Sequence, residues 1–285
     1  MSETFVLGAV AYDPKVVTIW GGFRDWFVEQ GFPFDYLLYS HYERQVDELV
    51  AGRIQVAWNS PLAWVRARRL AQAGGREVTA LAMRDTDRDL TSVVVVRSDS
   101  SVRALADLRG KTVGVGAVDS PQATLLPLAH LRAAGLQPGH DFQVRRFDVG
   151  VGLHGDHVGG ERDAARALVN GEVDAACMID GNHLRFGREG TLPSGSTRVL
   201  AQTAPFDHCN MTVGPSAPAD LTGRFRELLL GMSYADPALR PLLDLEGLKA
   251  WCDGRTSGYA PLESAVDALG FYDGAGSVTA RDYRP

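Results

Sequence analysis

Cysteine is scarce in this chain of 285 residues: Cys177, Cys209 and Cys252 are odd in number and widely separated. That excludes a disulfide framework and fits a reducing compartment. No apolar run approaches the roughly 20 residues that span a bilayer, so no membrane insertion is expected. The opening MSETFVLGAVAYDP lacks the basic region, long apolar stretch and small-residue cleavage site of an export signal. The expected location is therefore cytoplasmic. Positive charge is in deficit, with 29 Lys and Arg against 35 Asp and Glu and a net charge of −6. This argues against nucleic acid or an anionic membrane surface as a general partner. A GxxxxGK[ST] phosphate loop and a GxSxG nucleophile elbow are absent, and Gly114-Val115-Gly116 lacks the third glycine of a dinucleotide fingerprint. Nucleotide-driven chemistry has no support.

What is present is 45% hydrophobic and 22% charged residues, ordinary for a globular chain long enough for two α/β lobes. Phe5 to Ala11 reads as a strand. Val16 to Gln30 follows as a helix with Val17, Trp20, Phe23 and Phe27 on one face. Phe34 to Ser40 is a second strand. Tyr42 to Gly52 is an amphipathic helix with Val46, Leu49 and Val50 inward and Glu43, Arg44, Asp47 and Glu48 outward. Strand Ile54 to Trp58, helix Leu62 to Ala73 and strand Val78 to Met83 complete a βαβαβαβ alternation, the pattern of a parallel sheet covered by helices.

Leu90 to Arg97 (LTSVVVVR) reads as a crossover into a second α/β unit with strands Lys111 to Gly116, Asp141 to Phe147, Val173 to Ile179 and Arg198 to Thr203. Cys209 to Val213 is the return crossover, and the remainder is helical. The expected fold class is α/β, two doubly wound lobes with a ligand cleft between them. Residues 1–92 and 208–285 form lobe one and residues 93–207 lobe two.

Two stretches have the same design. Asn59-Ser60-Pro61 follows a strand and opens a helix, as does Asp119-Ser120-Pro121. Serine is a good N-cap, and proline at the first helical position loses no hydrogen bond. The free amides of the first turn then face whatever lies above the strand end, an arrangement suited to an anion. The plain alternative is that Ser-Pro only starts helices. Tyr12 and Trp58 lie close to strand ends of lobe one, where they pack the core or wall a pocket.

The loop GVGLHGDHVGG from Gly150 to Gly160 sets His154, Asp156 and His157 among glycines. Two imidazoles and a carboxylate on flexible backbone fit either solvated surface groups, a ligand contact or a metal set. With His208 they would suit Zn or Fe. In an enzyme, His154 and His157 are the candidate acid/base pair. His183 and Asp180 follow a buried strand, where they cap a helix or contact a ligand. Cys209 beside His208 is either an inert apolar residue or an activated thiol.

Three segments carry a family resemblance. LADLRGKTVGVGAVDSPQATLLPLAHLRAAGL resembles the LxDLxGK, strand, hydroxyl-rich turn and LxPxxxLxxxGL stretch of the phosphate, phosphite and phosphonate substrate-binding proteins of ABC transporters. VDELVAGRIQVAWNSPLAWVRA and ERDAARALVNGEVDAACMID are similar to that family's two segments of the type "GeiDvawlgP" and "anGeVDaa". The resemblance implies the type 2 periplasmic-binding-protein fold and a small polar or anionic ligand, for which the candidate contacts in this sequence are Tyr12, Asn59, Ser60, Ser120, Gln122, Thr124, Asp180 and His183. It also implies an ABC transporter permease as partner. Two departures matter: no export signal is apparent, and Asp119 stands in the hydroxyl-rich turn. A carboxylate there would repel a plain phosphonate and favour a zwitterionic, neutral or metal-associated ligand. The superfamily also contains cytoplasmic enzymes of thiamine-pyrimidine and menaquinone synthesis and of aromatic acid decarboxylation. The alternative expectation is therefore an enzyme on this fold acting on a small biosynthetic or aromatic acid.

Overall fold

A computed structural model describes residues 4–155 and 159–285. The chain divides into two compact units. Met1–Arg88, Asp207–Tyr259 and Tyr272–Ser277 form the first, and Asp89–Phe206, Ala260–Phe271 and Val278–Pro285 the second.

The first unit opens with β1 (Phe5–Val10), α1 (Lys15–Glu29), β2 (Phe34–Tyr39), α2 (Tyr42–Val50), β3 (Val56–Asn59), α3 (Pro61–Ala73) and β4 (Thr79–Arg84). The second unit follows with β5 (Ser92–Arg97), β6 (Thr112–Val115), α4 (Leu126–Ala133), β7 (Gln143–Arg146), α5 (Gly159–Val169), β8 (Ala175–Ile179), α6 (Asp180–Arg188) and β9 (Thr197–Gln202). The chain then returns to the first unit with β10 (Asn210–Val213), α7 (Ala219–Leu230), α8 (Arg240–Glu246) and β11 (Trp251–Asp253), before α9 (Ala260–Leu269) joins the second.

The sheets are mixed, which corrects the expectation of a parallel first sheet. Its order is β11-β4-β10-β3-β1-β2; β1 runs parallel to β2 and β3, whereas β10 is antiparallel to both β3 and β4. β10 joins this sheet only after the chain has built the second unit, and it inserts against the direction of β3 and β4. The second sheet, β7-β6-β8-β5-β9, repeats this device, with β5 antiparallel to β8 and β9. β5 reads SVVVVR because both its faces are covered. Val94 and Val96 pack with Val113, Val115 and Leu131, while Val93 and Val95 pack with Met178, Leu168 and Phe186.

The buried face of α1 is Val16, Ile19, Trp20, Phe23 and Phe27. Val17 is 54% exposed, because the 3.6-residue period runs through Val16 rather than its neighbour. Behind this face Phe5, Phe27, Phe32, Phe34 and Phe225 of α7 form an aromatic cluster, with Phe27 and Phe34 centroids 4.7 Å apart. Glu43 and Glu48 of α2 are buried instead of outward. Tyr272 donates its hydroxyl to Glu43 Oε1 at 2.8 Å, and Arg66 and Arg69 of α3 donate to the carbonyls of Gly276, Tyr272 and Asp273. Tyr272–Ser277 is thereby tied to the first unit. The assignment of 208–285 to one lobe is corrected elsewhere: α9 buries Leu262, Ala265 and Val266 within the second unit.

Candidate functional site

The two Ser-Pro turns are built alike. Ser60 and Ser120 both have extended backbone, and their Oγ atoms accept from Ala63 N at 3.1 Å and Ala123 N at 3.2 Å. Each serine thus takes one first-turn amide, and the amides of Leu62 and Gln122 have no acceptor within their helices.

In the first unit, Asn59 ends β3 and is fully buried. Its Oδ1 accepts from Gln45 Nε2 at 2.8 Å, and Gln45 Nε2 also donates to Trp58 O at 3.0 Å. Asn59 Nδ2 has no hydrogen-bond partner, nor does Gln45 Oε1. An unclaimed amide donor at the positive end of the 13-residue helix α3 is a place for negative charge. Tyr12, half-buried, packs against the core of this unit, and Lys15 Nζ lies 5.7 Å from its ring centroid.

In the second unit the turn Pro121–Leu125 is wound as one π turn, with Leu125 N donating to Ser120 O at 2.9 Å, and α4 continues from it. Such widened turns recur at functional sites. Thr124 Oγ1 donates to Ala117 O at 2.7 Å and so anchors the turn itself. Gln122 Nε2 donates to Gly155 O at 2.8 Å and to Glu161 Oε1 at 3.2 Å. Glu161 is buried and also accepts from Ile179 N and Asn182 Nδ2. Asp119 is fully buried; its Oδ2 accepts from Gly152 N at 2.6 Å and His154 N at 3.2 Å. Asp119 Oδ1 and Gln122 Oε1 have no partner. The Gly150–Gly155 stretch therefore sits against the Ser120 turn, and a side chain at Gly155, whose φ is +74°, would collide with Ser120 Oγ.

Burial pushes Asp119 above its ordinary value of 3.8, against the charge of His154 and the amides of Gly152 and His154. Its folded value thus exceeds the unfolded one. The stability it contributes is complete below 3.8 and is lost as pH rises through the folded value. Asp119→Asn retains an acceptor for Gly152 and His154 and cannot ionise. In urea melts the variant is expected to gain stability relative to wild type between pH 4 and pH 7. A difference that is flat or falls with pH would contradict this.

His154 is buried with φ +51°, and its Nε2 lies 3.4 Å from Tyr283 Oη. Asp156 and His157 lie outside the described residues. His154 and His208 belong to different units. Among the described residues, the set at metal-ligand spacing is Asp87, His208 and Cys209, whose ligand atoms all fall within 4.8 Å of one another. For this set, the adjacency of His208 to Cys209 was the one signal in the sequence, and Asp87 gave none. Burial acts to raise the Asp87 carboxyl, but the Arg84 guanidinium outweighs it and, with His208, holds it at about 2.

Asp180 begins α6; its Oδ2 accepts from Thr91 Oγ1 at 2.9 Å and its Oδ1 from Gly181 N at 2.6 Å. His183, on the same helix, places Nε2 3.3 Å from Thr197 Oγ1, and burial lowers its pKa. It lines an open groove of about 330 Å³ with Leu184, Arg188 and Pro193. Ser120, Gln122 and His154 are thus gathered around Asp119 and Gly155, Glu161 links Gln122 to Ile179 and Asn182 on either side of Asp180, and Asn59 and Ser60 form a pair in the first unit.

The family model described as "ABC transporter, phosphonate, periplasmic substrate-binding protein" matches residues 9–259. Among solved structures, PhnD1 from Prochlorococcus marinus in complex with methylphosphonate is similar at 16% identity and a TM-score of 0.69, covering 94% of this chain and 98% of that one. XAC2383 from Xanthomonas citri, solved with chloride, is 19% identical with a TM-score of 0.72 and the same coverage. The periplasmic aliphatic sulphonate binding protein SsuA from Escherichia coli is 18% identical with a TM-score of 0.59, covering 95% and 87%. These likenesses share the type 2 periplasmic-binding-protein fold. Nothing in them supports the enzyme alternative, and the family's periplasmic description gives no support to the cytoplasmic expectation.

Proposed function

Because the chain belongs to the ABC transporter phosphonate periplasmic substrate-binding protein family, we propose that its ligand is a small phosphonate or related oxyanion whose acidic group is received at Asn59-Ser60-Pro61. The chain binds a small polar or anionic ligand, as a substrate-binding component does. The observation that carries the assignment is the fully buried Asn59 Nδ2, a donor without a partner at the start of α3. A buried amide left unpaired costs about 1–3 kcal/mol, which an incoming acceptor would relieve.

The Ser120 turn has the opposite character. Asp119 Oδ1 and Gln122 Oε1 are buried oxygens without donors, and they suit a ligand that carries its own donor, such as an ammonium group. An ammonium group there would favour the ionised form of Asp119. Delivery to an ABC transporter permease completes the role that the family implies.

Native mass spectrometry of freshly purified protein tests this reading. A single adduct of a small phosphorus- or sulfur-containing acid, released on denaturation, is the expected result. Protein that carries no adduct and takes up no aminoalkylphosphonate when it is added in excess would contradict it.

A further inference from the structure

We propose that Asp87, His208 and Cys209 form a zinc site in the first unit, independent of the oxyanion-receiving turn. His208 Nδ1 stands 3.1 Å from Cys209 Sγ and 3.6 Å from Asp87 Oδ1. Zinc bonds of about 2.3 Å to sulfur and about 2.0 Å to nitrogen and oxygen, at tetrahedral angles, separate ligand atoms by roughly 3.3–3.6 Å. One imidazole nitrogen already lies near that distance from both an oxygen and a sulfur, so shifts of a few tenths of an ångström suffice for those two pairs.

The donor set is chemically apt. Thiolate, imidazole and carboxylate together select zinc over calcium or magnesium, which prefer all-oxygen shells. Cys209 is buried and takes part in no disulfide, whereas the His208 side chain retains 11% exposure and gives the ion a path in. The carboxylate is held from outside: Arg84 Nη2 donates to Asp87 Oδ1 at 2.8 Å and Nε to Oδ2 at 2.6 Å. A carboxylate has about four lone-pair sites, so Oδ1 can bind metal on its other side, and such outer partners orient ligands. Charge also balances. Glu246 Oε1 lies 3.4 Å from Arg84 Nη1, so Asp87, Glu246 and the Cys209 thiolate offset Arg84 and one divalent ion. The backbone is fixed as well, since Tyr259 Oη donates to His208 O and His208 N to Asp87 O. Binding converts the Cys209 thiol to thiolate, with its proton released to solvent, and leaves a fourth position for water.

Cobalt serves as the spectroscopic probe. Chelator-treated protein titrated with Co²⁺ is expected to bind one ion per chain, with a thiolate-to-cobalt charge-transfer band and intense tetrahedral visible bands that Zn²⁺ abolishes. Cys209→Ser should remove the charge-transfer band, Cys252→Ser should leave it intact, and His208→Gln should weaken Co²⁺ binding at least tenfold. Circular dichroism checks folding, and His208→Gln keeps the test decisive if Cys209→Ser unfolds. No band at stoichiometric Co²⁺, or a band and affinity unchanged in His208→Gln, would overturn the site. Phosphonate calorimetry on the metal-free protein reads the proposed function separately.

Discussion

Asn59→Ala combined with Ser60→Ala is expected to lower affinity for a small phosphonate by about 10²-fold or more. Hydrogen bonds to a charged group contribute about 1.5–3 kcal/mol each, and each 1.4 kcal/mol is a factor of ten. The double variant removes the unclaimed Asn59 Nδ2 donor and the serine that shapes the first turn of α3. Stability also falls, by about 1 kcal/mol for the cap and about 1–3 kcal/mol for leaving Gln45 Nε2 with one partner fewer. Calorimetry on the folded variant separates the effects, since lost stability alone reduces the active fraction and not the affinity of what remains. Unchanged affinity would place the acidic group elsewhere.

Gly258→Ala is expected to reduce unfolding free energy by about 3–5 kcal/mol, as the loss of a buried ion pair does. Asp207 is fully buried, and Arg255 grips both its oxygens at 2.6 Å. Gly258 N–Cα–C backbone lies directly against that carboxylate, and its carbonyl accepts from Asp207 N at 3.0 Å. A Cβ at Gly258 would overlap the carboxylate carbon and oxygens, so Asp207 could make room only by leaving Arg255. Urea denaturation measures the cost. A loss under about 1 kcal/mol would mean that the pair rearranges freely and is not the fixed element described.

Local signals were readable in the sequence where short-range chemistry decides the outcome. Ser60 and Ser120 cap the helices that their Ser-Pro pairs announced, and the uninterrupted valines of β5 marked a strand covered on both faces. Long-range chemistry was not readable. Glu43 looks solvated by helical periodicity, yet it receives Tyr272, and Glu161 takes three donors from distant segments that no local pattern announces. Asp87 lies in a polar break, and only the return of the chain at His208 gives it a role. The antiparallel insertion of β10 is a long-range pairing, which local pattern does not encode. Asp119 stood out as an unexpected charge, but its burial beneath Gly152 and His154 is a tertiary fact.

The most direct measurement is isothermal titration calorimetry of ligand-stripped, chelator-treated protein with methylphosphonate, an aminoalkylphosphonate, inorganic phosphate and an alkanesulphonate. The account predicts one site per chain for at least one of these acids, with that affinity lost in the Asn59→Ala, Ser60→Ala double variant. Absence of binding heat for all four compounds, in protein whose fold is verified by a cooperative melt, would contradict it.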